Sequence, residues 1–312
     1  MDRVLVLGAA GMFGHALHRR LSQAPFEAWA ALRTKRSANA RVERTIAAGR
    51  CIEDCDITAE AEMVRVLGDL RPTTVVNCAG IIKQRPEIAD TGLAMATNGL
   101  APHSLARLCD NIQAKFVQIS TDCVFSGARG GYVESDTPDP VDVYGFSKLF
   151  GEVTRAPHLT LRTSMIGWQL EGREGLAEWF LSHADQCAEG WTHSVFSGLT
   201  TYALADIVTR IIASQPGLSG LYHVASVPVS KYRLLSMLNN AMNGTIALRR
   251  VAGSRIDRSL RGERFLAATG IATPSWASML ADMAGRRRDY DGASSPFGEL
   301  ARTPRDGDRY IG

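Results

Sequence analysis

The sequence predicts an α/β fold: a doubly wound parallel sheet with helices on both faces, followed by a smaller C-terminal α/β part. Three observations carry that expectation. An apolar run near the N-terminus stops at a glycine and gives way to helical spacing. Strand-like runs and helical patterns then alternate roughly every 20 to 40 residues, the rhythm of βαβ units. The chain, at 312 residues and 45% hydrophobic, is large and apolar enough to cover both faces of such a sheet.

Arg3-Val4-Leu5-Val6-Leu7 reads as a buried strand cut off by Gly8, and positions 12–21 repeat apolar residues at helical spacing. Residues 28–32 make a second strand. The stretch 33–44 is too charged for a core element and reads as a loop. A short third strand at 51–52 precedes a helix at 59–67, with Asp56 or Thr58 available as its cap. The β-branched run 74–77 is the fourth strand, and 92–111 is the long helix behind it. Residues 115–120 form the fifth strand, ending at Thr121-Asp122. After the glycine-rich loop (Gly127, Gly130, Gly131) come a helix over 143–154 and a sixth strand over 160–162. Beyond Ser164 the alternation blurs. Helices are expected at 176–188, 203–214, 230–242 and 275–287, with strands at 221–224 and 246–250. The expected organisation is a sheet domain over 1–164 and a ligand-facing region over 165–288, partly interleaved with the first. The end, 289–312, rich in Gly, Pro, Asp and Arg, reads as a loosely ordered tail.

Composition excludes several roles. Thirty-five basic against 32 acidic residues leave +3, too balanced for a general nucleic-acid binder. No apolar run approaches the ~18 residues of a membrane span. Met1-Asp2-Arg3 does not open the basic-then-apolar plan of a signal peptide, so a cytoplasmic protein is expected. Six cysteines read as free thiols of a reducing compartment. Cys51 and Cys55 have no second pair or nearby histidine, so no metal is expected. The Arg286 to Arg288 run ends an amphipathic helix and suits its C-terminal dipole.

Gly8-Ala9-Ala10-Gly11-Met12-Phe13-Gly14 sits between the first strand and first helix, where glycines serve a dinucleotide. Gly8 permits the tight turn, Gly11 lets a pyrophosphate approach the backbone, and Gly14 lets helix pack on strand. A site for NAD usually has an Asp or Glu near the end of the second strand. Here Leu32-Arg33-Thr34-Lys35-Arg36 offers Arg33, Lys35 and Arg36 instead, which suits the 2'-phosphate of NADP. NADPH is therefore expected over NADH, with NAD left open. Asp56 and Ile57 are positioned either to flank the adenine or to begin a helix.

Tyr144 and Lys148 stand four apart on a predicted helix and so share a face. A free tyrosine, with pKa near 10, is a poor proton donor at pH 7, and a neighbouring ammonium is expected to favour its phenolate. Ser120-Thr121-Asp122 ends the fifth strand, the rim on which open α/β sheets place ligands, so the Thr121 hydroxyl can meet a substrate oxygen beside the tyrosine.

These pieces, with Val75-Val76-Asn77-Cys78-Ala79-Gly80, Asn98, Val124-Phe125-Ser126-Gly127 and Leu161-Arg162-Thr163-Ser164, resemble the extended short-chain dehydrogenase/reductases. Within them the chain is most similar to the dTDP-4-dehydrorhamnose reductase group. A looser likeness through Thr201-Tyr202-Ala203 and Asp206-Ile207-Val208 carries it to about residue 285. The resemblance implies a Rossmann-type sheet, a catalytic triad of Thr121, Tyr144 and Lys148, and a cofactor site including Met12, Phe13, Asn77, Ala79, Gly80 and Asn98. It implies reduction of a nucleotide-linked keto-sugar by NADPH, for surface polysaccharide precursors. Lys83, Gln84, Asp122 and Arg162 are the expected substrate contacts, though Arg162 is equally placed to pair with an acid. Arg258 and Arg261 read as a solvated face. Phe196, preceded by Trp191 and His193, reads as part of the core of the second region, with stacking on a nucleotide base as the alternative. A homodimer is left open.

Two departures point to another sugar nucleotide. Cys78-Ala79-Gly80-Ile81-Ile82-Lys83-Gln84 replaces the group's Ala-Ala-Tyr-Thr style segment, and Gly198-Leu199-Thr200-Thr201 lacks its proline. Dehydratases of the same fold resemble Thr-Asp-Glu where this chain has Thr121-Asp122-Cys123, so the dehydratase carboxylate is absent. An epimerase, which needs only the triad and a tightly held NAD, is the main alternative. A non-catalytic nucleotide-binding protein is a further one.

Overall fold

The computed structural model describes residues 1–290 apart from 173, 184 and 185. Its first half runs β1 (Arg3–Leu7), α1 (Gly14–Ser22), β2 (Glu27–Ala31), α2 (Ala40–Thr45), β3 (Cys51–Ile52), α3 (Glu60–Leu70), β4 (Thr74–Asn77), α4 (Thr91–Ala94), α5 (Ala101–Asn111), β5 (Lys115–Thr121), α6 (Val143–Phe150) and β6 (Leu159–Thr163). The second half adds β7 (Met165–Ile166), α7 (Leu176–Leu181), β8 (Cys187–Trp191), β9 (Ser194–Phe196), β10 (Leu199–Thr200), α8 (Thr201–Ser214), β11 (Gly220–His223) and β12 (Val229–Ser230). It closes with α9 (Lys231–Ala241), β13 (Ala247–Val251), β14 (Ile256–Asp257), α10 (Glu263–Thr269) and α11 (Trp276–Gly285).

Among the described residues one seven-stranded sheet dominates, in the order β3-β2-β1-β4-β5-β6-β11. Every pair in it is parallel. The period of two along β1 explains the two layers. Val4 and Val6 join one core with Leu17 of α1 and Val208 of α8, while Leu5 and Leu7 join another with Met63 of α3 and Leu105 of α5. Strand order turns around at β1, which lies between β2 and β4. That crevice, outside the carboxyl ends of β1 and β4, is where open α/β sheets take ligands. β11 arrives from the second half of the chain to form the sheet's edge. The remaining strands pair into small sheets, β7 with β10, β8 with β13, and β9 between β12 and β14.

Several elements differ from expectation. The stretch 33–44 is not all loop: α2 forms there, its amides capped by Asn39 Oδ1, and Val42 and Ile46 reach the core. Two apolar residues one turn apart anchor it while its charges face water. Neither Asp56 nor Thr58 caps α3. Asp56 Oδ1 accepts instead from the Thr58 amide and hydroxyl, at 2.9 and 2.8 Å. The long helix over 92–111 is interrupted by a π-helical segment, Met95–Leu100. Pro102 explains it, because proline offers no N–H to the Asn98 carbonyl four residues back and its ring crowds that oxygen. The helix expected over 176–188 stops at Leu181, and the chain pairs with β13 from Cys187. The start of the expected tail is docked: Tyr290 is buried and Asp289 pairs with Arg19 at 2.9 Å. Residues 291–312 lie outside the described residues.

Candidate active site

At the crevice between β1 and β4 the glycines are forced by contact. Gly8 has φ +72°, and a side chain on it would begin 2.7 Å from the Ala79 backbone. A Cβ on Gly14 would stand 2.2 Å from the Gly8 carbonyl oxygen, so α1 presses directly on the turn. The first turn of α1 carries no acid, and Phe13 before it caps no amide with a side chain. Its N–H groups and dipole therefore suit a pyrophosphate. Met12 is half-buried, whereas Phe13 turns its ring into the core and has only its backbone to offer.

Beyond β2, Arg33 and Lys35 are exposed. Arg36 is not equivalent to them. Its guanidinium donates to the carbonyls of Glu43 and Ile46, at 2.9 and 2.6 Å, and holds the loop before β3. Asp56 is exposed and Ile57 buried at the turn after β3. Ile57 also lines a cavity of about 160 Å³ between α3 and α5, which includes no other expected site residue.

The end of β4 is tied to α6 through the π segment. Asn77 donates to Gln118 at 2.9 Å and accepts from the Ala79 amide at 3.1 Å. Asn98 is buried, accepts from the Ile81 amide at 2.8 Å, and donates to the Ile81 carbonyl and the Ser147 hydroxyl. A Cβ on Gly80 would meet Asn98 Oδ1 at 2.9 Å and stand 3.9 Å from Lys148 Nζ. Thus Asn77, Ala79, Gly80, Asn98 and Lys148 converge on one wall.

α6, which carries Lys148, is capped by Asp142, whose Oδ1 accepts from the Gly145 amide at 2.7 Å. Gly145 is pressed so close to the loop after β5 that a Cβ would lie 2.3 Å from the Cys123 carbonyl oxygen. This contact brings Tyr144 to Thr121. Burial pushes the Tyr144 phenol above its ordinary range, Cys123 adds to the rise, and a hydrogen bond with Thr121 pulls the other way. Lys148 is buried and donates to the Ile119 carbonyl at 2.6 Å. Burial brings its ammonium down to about 8, opposed by Glu152 and Cys78. Burial is the leading influence on both groups and acts against ionisation of the phenol and of the ammonium alike.

Asp122 is buried behind Thr121, which donates to it at 3.2 Å, and burial raises its carboxyl. Lys83 Nζ lies 3.6 Å from Asp142, joining the loop after β4 to the start of α6, with half-buried Gln84 next to it in the chain. Arg162 is corrected. Its guanidinium fork is taken by Glu152, with both contacts at 2.7 Å, and Ser120 donates to the same carboxylate. It is buried, so it braces β6 rather than facing a substrate.

Arg258 is corrected in the other direction. It is buried, donates to the Phe125 carbonyl at 3.0 Å, and is the leading charge that opposes the rise of Asp122. Lys231, at the start of α9 and 5.2 Å above the Trp191 ring, is pushed down by burial, then by Lys83 and Arg258. Lys83, Lys231 and Arg258, from three separate parts of the chain, therefore gather near the rim that carries Thr121 and Asp122. Neither Lys231 nor Arg258 has a motif around it, so the sequence alone assigns Lys231 no role and reads Arg258 as part of a solvated face. Arg261 is exposed and pairs with Glu263, as expected of a solvated face. Trp191 and Phe196 are half-buried, Phe196 against Trp276, whereas His193 is exposed. Among the described residues no group of three or more His, Cys, Asp or Glu is placed to hold a metal ion. No helix among them is long and apolar enough to cross a membrane.

The family described as RmlD substrate binding domain matches residues 1–286. A dTDP-4-keto-6-deoxy-D-glucose reductase of Streptomyces niveus is 31% identical over 237 residues, 72% of this chain and 73% of that protein. A probable low-salt glycan biosynthesis reductase of Haloferax volcanii is 32% identical over 186 residues, 56% of this chain and 61% of that protein. Among solved structures, the dTDP-4-dehydrorhamnose reductase from Bacillus anthracis in complex with NADP matches with TM-score 0.75 and 21% identity. That match covers 92% of this chain and 100% of the other.

Proposed function

The chain belongs to the RmlD substrate binding domain family, and from that premise we propose that it reduces the keto group of a nucleotide-linked 4-keto-6-deoxy hexose with NADPH. It is an NAD(P)-dependent oxidoreductase of the extended short-chain dehydrogenase/reductase type. The observation that carries the proposal is the meeting of Tyr144 and Thr121 at the carboxyl end of β5, with Lys148 buried one turn along α6. The reductase names of its relatives support the direction of reaction.

The glycine turn fits a dinucleotide, because α1 opens without side-chain cap or acid and Gly8 and Gly14 leave no room for side chains. NADPH supplies the hydride when bound. Gly8, Gly11 and the turn leading into α1 are assigned to its pyrophosphate. Exposed Arg33 and Lys35, with no acid beside them at the end of β2, are assigned to the 2'-phosphate. Lys148 and Asn98 form the wall toward the nicotinamide ribose. Tyr144 donates its proton to the substrate carbonyl oxygen, and burial has kept that proton in place until then. The Thr121 hydroxyl bonds the same oxygen and stabilises the charge that develops on it. Lys83, Lys231 and Arg258 are assigned to the substrate diphosphate, which guanidinium and ammonium groups bind well. Cys123, pushed up to about 12 by burial and Asp122, is a neutral thiol and offers no carboxylate for dehydration. We place the reaction in the cytoplasm, in the supply of surface polysaccharide precursors.

The test is incubation of the purified chain with NADPH and a panel of nucleotide keto-sugars, read by mass spectrometry. Uptake of a hydride and a proton without loss of water is expected. Unchanged mass with inverted stereochemistry would make it an epimerase instead. Titration with each reduced cofactor should show NADPH binding more tightly than NADH. Equal affinities would remove the roles given to Arg33 and Lys35.

A further inference from the structure

The glycine turn is held from behind by residues far away in sequence. His15, the second residue of α1, is buried, and its Nδ1 lies 2.8 Å from the Gly11 carbonyl oxygen. A carbonyl only accepts, so Nδ1 carries a proton. In the neutral ring Nε2 is then an acceptor, and it lies 2.6 Å from the Tyr290 hydroxyl, which donates to it. The Tyr202 hydroxyl of α8 bonds the Tyr290 oxygen in turn. All three side chains are buried. Burial brings His15 down to about 4, so the ring stays neutral and the direction of the chain is fixed.

Tyr290 is itself fastened. Asp289 pairs with Arg19 at 2.9 Å, and Arg287 stacks over Trp168 at 4.6 Å and pairs with Glu178. Arg286 lies over the Tyr202 ring at 4.5 Å. The segment after α11 therefore closes across the back of α1.

The consequence for the turn follows from peptide planarity. The Gly11 carbonyl is held by the His15 ring and also by the His15 amide at 3.2 Å. A trans peptide sets the Met12 N–H opposite to that carbonyl, facing away from the His15 ring that holds it.

We propose that Tyr290 is a positioning residue for the cofactor: through His15 it orients the Gly11–Met12 peptide, so that the turn offers its amide to the pyrophosphate of a dinucleotide. This rests on the reading of the glycine turn as the NADPH site. Neither residue needs to touch the cofactor. The relay couples the C-terminal segment to nucleotide affinity.

Tyr290→Phe deletes the one hydroxyl and keeps the ring. It should weaken NADPH binding, read by nicotinamide fluorescence, by about threefold to tenfold, the worth of one net hydrogen bond. In the cofactor-free protein it should also speed amide exchange across residues 8–14. His15→Leu should do both at least as strongly. Because Tyr290 acts through His15, adding Tyr290→Phe to His15→Leu should change neither reading further. Tyr202→Phe leaves the bond from Tyr290 to His15 intact and should stay within about twofold of the parent. A Tyr290→Phe protein that melts earlier but keeps its NADPH affinity and its exchange rates would mean that Tyr290 merely packs, and so would fully additive effects in the double variant. Faster, non-additive exchange in a chain that binds neither NADPH nor NADH would support the relay and overturn the nucleotide reading of the turn.

Discussion

Tyr144 and Lys148 share a helix face, yet the site treats them oppositely. Burial raises the phenol and lowers the ammonium to about 8, so each neutral form gains. Removing the hydroxyl with Tyr144→Phe should leave folding and NADPH affinity nearly intact and cut single-turnover reduction roughly 10² to 10⁴-fold. A rate within about twofold of the parent, in a variant with the parent's melting temperature, would defeat the assignment. Lys148 should show itself through pH. It is charged below about 8 and loses its proton above, so NADPH affinity should fall as pH rises through that value. Lys148→Met should weaken binding at neutral pH and abolish this step. A step that survives in the Met variant belongs to another group.

At the scale of elements, the geometry of the site is set by close approaches rather than by propensity. α6 can deliver Tyr144 because Gly145 lets it lie against the Cys123 carbonyl, with only 2.3 Å to where a Cβ would be. Gly145→Ala must push helix and loop apart, since the obstacle is backbone and cannot rotate away. A misplacement on the order of 1 Å can cost about a hundredfold. Turnover of Gly145→Ala should therefore fall by at least about tenfold, checked by single-turnover kinetics beside a melting curve. Parent-like turnover would mean that the approach of α6 does not position the tyrosine. The π segment works in the same way. Pro102 releases the Asn98 carbonyl from its helical bond, and Gly151 packs against that oxygen, where a Cβ would be 2.0 Å away. The Asn98 side chain on that segment clamps Ile81 and Ser147. A glycine fingerprint or a Tyr and Lys at helical spacing is visible in the sequence. The clamp was visible only as a lone asparagine.

For the molecule as a whole, buried histidines make stability depend on acid. His15 and His223 are both brought down to about 4, mainly by burial, and His18 and His158 shift the same way. Between about 4 and 6.5 the unfolded chain binds protons that the folded one refuses, so stability falls as pH drops through that window. Each such histidine contributes at most about 1.4 kcal/mol per pH unit there. The urea midpoint should decline steadily from pH 6.5 towards 4, and His15→Leu should make the slope shallower. A midpoint flat across the window would show that these rings take up protons in the folded state.

Fold class, the succession of strands and helices along the first half, the glycine turn and the pair on α6 were all legible in the sequence itself. Each is a local pattern: a period of two or 3.6, a glycine where the turn needs it, two side chains one helical turn apart. The roles of the cations were decided only in three dimensions. Arg33, Arg36, Arg162 and Arg258 look alike in a one-dimensional reading. Arg36 meets two loop carbonyls, Arg162 meets Glu152, Arg258 is buried beside Asp122, and Arg33 stays at the surface. Likewise Tyr290, at the head of a stretch read as loose, reaches His15 from 275 residues away. What a charged or hydroxyl group does depends on the partner that the fold brings to it, and no local pattern encodes a partner so distant in the chain.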